Sequence, residues 1–82
     1  MERAKILHEK MKEELHDVLA YAKLHDELED EGMHHDAEII EDLARDEYDH
    51  AHALCRMIHH HEMDEEAKAL WKEARAAFEE EE

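Results

Sequence analysis

One glycine interrupts this chain, and no proline does. Those two residue types are the strongest punctuation a helix meets, so 82 residues with Gly32 as the sole glycine contain a single strong break. Ala, Leu, Glu, Lys and Met dominate the rest and favour helix. Aromatic residues are few and no window alternates in the manner of a strand. The spacing predicts a first helix over about residues 3–31, with Gly32 just past its end. A second helix is expected over about 35–61, its last turn being His59-His60-His61. Asp64 is a good N-cap, with Glu65 and Glu66 in the first turn behind it, and opens a third, shorter helix over about 64–79. At ~1.5 Å per residue each long helix spans about 40 Å, and a connection this short makes the two antiparallel neighbours. The third helix carries the stripe Ala67, Leu70, Trp71, Ala74, Ala77 and Phe78, to pack on the hairpin or on another subunit, with Leu19 and Cys55 as receivers. The tail Glu79–Glu82 is expected to fray. Residues 1–82 therefore read as one all-α domain, an antiparallel hairpin plus a short C-terminal helix. A domain of this size buries a modest core, so oligomerisation is expected.

Read as helices, the two long segments each show a 3-4 seam. The first runs Ala4, Leu7, Met11, Glu14, Val18, Tyr21, His25, Leu28, and the second Ile40, Leu43, Glu47, His50, Leu54, Met57. Met11 and Met57 read as core fillers. Glu14, Glu47 and His50 are polar where burial is expected, and a buried carboxylate is costly unless a cation meets it. Glu-x-x-His sets two ligands on adjacent turns of one helix face. The motif occurs as Glu13/His16, Glu31/His34 and Glu47/His50, and in so acidic and His-rich a chain the match alone carries little. Position decides: Glu31/His34 straddles the turn, Glu13/His16 faces away from the seam, and Glu47/His50 lies in it. Folding the hairpin at Gly32 brings Glu14, Glu47 and His50 to one height, because Glu14 and His50 are equally far from the turn. Solvent-facing seam positions or a buried Glu–His ion pair remain the alternative reading.

One hairpin thus offers two carboxylates and one imidazole, half of a carboxylate-bridged dinuclear site. The four-helix solution takes a Glu from each of two helices and Glu-x-x-His from each of the other two, a set that two copies of this chain related by a two-fold axis supply. Carboxylate oxygens with one imidazole per metal suit iron or manganese, and zinc is an option.

Composition limits the partners. Ten Lys and Arg against 26 Asp and Glu give a formal charge of −16, which repels nucleic-acid phosphate and anionic membrane surfaces and gathers cations. Solvated acidic faces account for most of these carboxylates. Cys55 is the sole cysteine, so neither a disulfide framework nor a Cys-x-x-Cys metal site is expected. The first residues lack the apolar stretch of a signal peptide and no run is apolar enough to cross a bilayer. Cytoplasm is the expected location.

The residues singled out carry a resemblance. Glu14 with Tyr21 after it, and the segment Leu43-Ala44-Arg45-Asp46-Glu47-Tyr48-Asp49-His50-Ala51, resemble the first half of the rubrerythrin branch of the ferritin-like superfamily over roughly residues 10–58. Rubrerythrins carry both halves of the bundle on one chain, and the rubredoxin-type iron site needs more than one cysteine. The closer likeness is to the encapsulated ferritins, two-helix proteins that build a di-iron ferroxidase centre between subunits and assemble as rings of dimers. Glu13-Glu14-Leu15-His16 with Tyr21 resembles their motif, with His16 replacing an acid. The resemblance implies iron ligation by Glu14, Glu47 and His50, and a cation-entry site at Glu13 and His16. It also implies that the C-terminal helix helps to join dimers. Members housed in encapsulin shells carry a C-terminal targeting tail, and none is evident up to Glu82.

The expected function is that of a di-iron ferroxidase of encapsulated-ferritin type. It would oxidise Fe²⁺ to Fe³⁺ with oxygen or peroxide in a homodimeric four-helix bundle, in the cytoplasm or within an encapsulin compartment. A rubrerythrin-like peroxide reductase, a non-catalytic metal-stapled oligomer and a plain helical adaptor are the alternatives. Tyr21 is placed to orient a ligand carboxylate, or else is an ordinary core tyrosine. Asp17 is a candidate acceptor for the free ring nitrogen of His50. His25 reads as a packing or rim residue, and His34, His35 and His59–His61 as solvated, with secondary metal binding an option.

Overall fold

The computed structural model describes residues 2–58 and 63–79, with the backbone alone for 78 and 79. The expected His59–His61 turn and the packing of Phe78 lie outside the described residues. Three helices follow one another: α1 (Glu2–Asp30), α2 (His34–Cys55) and α3 (Glu65–Glu79), and the described residues contain no strand. Helices α1 and α2 pack along their length as an antiparallel hairpin, and α3 lies against α1. The molecule measures 47 × 22 × 16 Å, its long axis set by the 29 residues of α1.

The turn is built on Gly32, the one position among the described residues with positive φ, at 78°. The Met33 amide donates to the Leu28 carbonyl at 2.9 Å and the Gly32 amide to the Glu29 carbonyl at 3.0 Å. These two bonds form a Schellman motif, which satisfies the last α1 carbonyls and needs a left-handed residue between them. Asp64 caps α3 as expected: its Oδ1 accepts from the Ala67 amide at 2.9 Å.

The core lies between α1, the C-terminal half of α2 and α3. Met11, Leu15 and Val18 are fully buried there, together with Tyr48, Ala51, Ile58, Met63, Ala67, Leu70, Trp71 and Ala74. Leu19 and Cys55 pack against this cluster, as expected of residues receiving the third helix. The Trp71 indole N–H donates to Met11 Sδ at 3.3 Å, and its ring meets Tyr48 edge-on with centroids 5.7 Å apart.

Two expectations for α2 are corrected. It ends at Cys55, not near residue 61. The Met57 and Ile58 amides donate to the Leu54 and Cys55 carbonyls, each at 3.0 Å, tightening the end into i→i−3 turns. Ile58 thereby enters the core, 6 % exposed. The inner face of α2 is also rotated relative to the expected seam. Ala37, Ala44, Tyr48 and Ala51 are its buried positions, continued past the helix end by Ile58 and interleaved with the half-buried Ile40, Glu47 and Leu54. Leu43 (42 % exposed) and Met57 (62 %) point outward, so Met57 is not a core filler. Alanines repeated every two turns let α1 and α2 approach closely, and the bulkier side chains are turned to the flank.

Lys12 fastens α3 to α1. Its Nζ donates to Asp64 Oδ2 at 2.8 Å and to Glu66 Oε1 at 3.3 Å. The hydrogen bond to Asp64 raises the Lys12 pKa against a partial loss of hydration. That bond, with the Ala67 amide second, holds the Asp64 carboxyl below its ordinary 3.8.

Two predictions follow from these joints. Gly32→Ala meets nothing within 4 Å, so its cost is conformational alone, about 1–2 kcal/mol, read as a lower midpoint in urea unfolding. For the α3 anchor, Asp64 has a lowered folded pKa. Its contribution is therefore fully present above pH 3.8 and lost as pH falls through the lower folded value. Asp64→Ala should be less stable than the parent at neutral pH by about 1 kcal/mol from the lost cap, and the gap should narrow in acid. A gap independent of pH would count against the Lys12–Asp64 joint.

Candidate metal centre

Midway along the hairpin, α1 presents Glu14 and α2 presents Glu47 and His50. Their ligand atoms lie within 4.8 Å of one another, and no other trio of His, Cys, Asp or Glu among the described residues gathers so tightly. His50 Nδ1 lies 3.7 Å from Glu14 Oε1 and 3.7 Å from Glu47 Oε1. Both distances exceed a hydrogen bond and leave room for an ion between the three donors. Glu47 and His50 share a face by their i, i+3 spacing. Glu14 reaches them because the Gly32 turn sets the two helices in register.

Burial is graded across the trio. The side chain of Glu14 is 14 % exposed, that of Glu47 25 % and that of His50 62 %. No polar or charged residue is fully buried among those described, so the site sits at the margin of the packed face and not, as expected, in its middle. The rotation of α2 explains this: Glu47 keeps a place on the seam while His50 is carried to the flank. One atom is nonetheless enclosed. Glu14 Oε1 is shielded from solvent and has no hydrogen-bond partner. A desolvated carboxylate oxygen costs several kcal/mol when nothing offsets it, more than an exposed ion pair returns. The donor set therefore fits a divalent cation: two carboxylates and an imidazole, with the open flank free for further ligands.

The other expected residues are less central. Tyr21 is half-buried and lines a cleft with His25 and Glu41, without a hydrogen bond to Glu14 or Glu47. Glu13 and His16 are exposed on the outer side of α1, where Glu13 pairs with Lys10 at 3.5 Å. Asp17 is exposed and forms no ion pair with His50, whose ion pairs run to Glu14 and Glu47. Sequence reasoning missed a network at the turn in which Glu29 accepts from His34 Nδ1 at 2.6 Å and approaches His25. The i, i+4 spacing of His25 and Glu29 was the available signal. It also missed the exposed apolar side chains on the flank of the site. Leu43 stands one turn before Glu47 and Ile39 two turns before it, Met57 two turns after His50, and Ile6 and Leu24 lie on the matching flank of α1.

No helix among the described residues is long and apolar enough to cross a membrane. Comparison with curated proteins and with solved structures gives no match. The family model described as Rubrerythrin matches residues 5–82, nearly the whole chain and the whole of the Glu14–Glu47–His50 arrangement. On that match, with a carboxylate–imidazole trio between its first two helices, the chain belongs to the rubrerythrin family, within the ferritin-like superfamily.

Proposed function

We propose that two copies of this chain join their open faces about a two-fold axis and complete one di-iron centre. There Fe²⁺ is oxidised to Fe³⁺ for iron storage or detoxification, as in the encapsulated ferritins. The observation that carries this reading is the enclosed, unpartnered Glu14 Oε1 facing Glu47 and His50. One chain brings too few donors for two metals. Two chains bring four carboxylates and two imidazoles, the set that four-helix di-iron proteins use. The exposed Ile6, Leu24, Ile39, Leu43 and Met57 support the same geometry, because they form an apolar margin around the polar trio that a second copy covers.

Bound iron supplies the one-electron oxidation, with oxygen or peroxide as the electron acceptor. The protein's own residues do the rest. Glu14, Glu47 and His50 of each chain would hold the ions, the glutamates offering carboxylate oxygens and His50 a ring nitrogen. Leu43 and Met57 keep bulk water from the carboxylates. Glu13 and His16, exposed and outward, form the entry path for incoming Fe²⁺. Manganese or zinc can fill the same donors. In this reading α3 joins dimers into a ring, in the cytoplasm or within an encapsulin shell.

Metal content and sedimentation, measured with and without chelator, test the centre and the dimer together. Binding and association are coupled because neither chain holds a full ligand set. His50→Ala should lower both the iron content and the dimer fraction, and Fe²⁺ oxidation should fall to the buffer rate. Unchanged iron and unchanged dimer would remove the mechanism. Peroxide turnover with an added electron donor and no iron accumulation would instead identify a rubrerythrin-type peroxide reductase. Zinc or manganese bound as tightly as iron, without oxidation, would identify a metal-stapled oligomer.

The apolar margin makes a separate prediction. Leu43→Asp should leave the helical circular-dichroism signal intact and shift sedimentation to the monomer, since a charge at that position must be desolvated on association. A dimer as stable as the parent's would place the interface elsewhere.

A further inference from the structure

A cleft of about 230 Å³ opens where the last turn of α2 faces α3, lined by His52, Cys55, Met63, Lys68, Trp71 and Arg75. His52 and Cys55 share a face of α2 by their i, i+3 spacing. Lys68, Trp71 and Arg75 share a face of α3 by steps of three and four. The floor is apolar. Trp71 is 5 % exposed and Met63 7 %, and the His52 ring stands against the indole with centroids 4.7 Å apart.

Charge sets this cleft apart. The chain carries 26 acids against ten Lys and Arg, yet no acid among the described residues lines it, and two cations do. The clefts beside Tyr21 and beside His8 both hold acids, Asp26 and Glu41 in one and Glu9 and Asp64 in the other. Arg75 forms no ion pair with a described side chain. Lys68 Nζ lies 3.6 Å from Glu65 Oε2, but that acid is 94 % exposed and water screens the pair. A planar guanidinium fork thus stands open at the mouth of an apolar cleft.

We infer that this cleft binds a small organic anion, an aromatic monocarboxylate, with its ring on Trp71 and Met63 and its carboxylate on Arg75 and Lys68. Apolar walls with a few convergent polar groups are the usual make-up of small-ligand sites. The guanidinium fork matches a carboxylate bidentately, and the indole offers a partner for ring stacking. The volume is about eight times the ~30 Å³ share of one water, which suits a single ring. The chain's overall charge repels anions, so binding depends on those two side chains. The ligand bridges α2 and α3, and its occupancy stabilises the docked third helix. None of the lining residues belongs to the Glu14–Glu47–His50 trio, so the site stands whether or not metal is bound there.

Trp71 is the sole tryptophan, and its fluorescence reports this cleft directly. The test is titration of the full chain, in chelator, with para-nitrobenzoate and with para-nitrobenzamide as its uncharged counterpart. The expected result is saturable quenching by the benzoate at one ligand per chain, a raised melting temperature, and at least about tenfold weaker binding of the amide. Arg75→Gln should weaken the benzoate about tenfold and Lys68→Gln by less. Lys72→Gln removes the same charge from an exposed position off the cleft and should leave binding unchanged. All three side chains are exposed, so each variant should keep the helical circular-dichroism signal of the parent. Quenching that rises without saturating, or that is equal for benzoate and amide, would overturn the inference. So would an Arg75→Gln protein that binds as the parent does. Equal weakening by Arg75→Gln and Lys72→Gln would overturn it too, because the net field and not the cleft would then hold the anion.

Discussion

The register of the two long helices rests on a left-handed glycine. Two backbone hydrogen bonds close the Gly32 turn, and everything between α1 and α2 is measured from there. Each residue of slip along a helix moves a side chain by about 1.5 Å and turns it by about 100°. A displacement of one residue would pull Glu14 off the height of Glu47 and His50, and would carry His25 away from Glu41. Both polar clusters therefore depend on the same few backbone atoms. A side chain at Gly32 would fit sterically, since its surroundings are empty; only the positive φ demands glycine.

The chain's charge gives those clusters their meaning. So many acids can be tolerated because most of those among the described residues face water, where each is hydrated and their mutual repulsion is screened. Glu14 departs from that rule through one enclosed oxygen, and the energetic argument turns on that atom. Water cannot reach it, and the His50 ring is too distant to donate to it. A cation that reaches Glu14, Glu47 and His50 together relieves a local penalty that no exposed ion pair along α1 could offset.

The site was more legible in the sequence than its burial. Sequence distance from a lone breaker converts directly into height along an antiparallel pair, so Glu14, Glu47 and His50 could be matched without knowing how either helix was turned. Asp64 was readable because capping is local chemistry. The rotation of α2 was not. A hydrophobic pattern assigns large apolar residues to the interior, and Leu43 and Met57 competed there with Ala37, Ala44 and Ala51. Close helix approach favours the alanines, and that preference appears only when the facing Met11, Leu15 and Val18 are in place. The end of α2 was hidden for a related reason. No glycine or proline marks Cys55, and the turns that follow it carry Ile58 into the core. Of the acids beside His25, Glu29 stood at i+4 and was readable, whereas Glu41 comes from the other helix and was not.

The position of α3 links the fold to the proposed dimer. By packing on one side of the hairpin and burying Trp71 and Leu70 there, it leaves Ile6, Leu24, Ile39, Leu43 and Met57 on the flank beside the Glu14–Glu47–His50 trio. Two chains of charge −16 repel one another, so apolar contact alone must work against a large electrostatic term. In the proposed dimer four carboxylates meet at the interface, and two divalent ions carry the four positive charges that neutralise them. Metal thus removes the repulsion at the point where desolvation would make it strongest. Association of so acidic a protein through that face then becomes conditional on metal, and the contact that completes the ligand set is the same contact that the metal makes electrostatically tolerable.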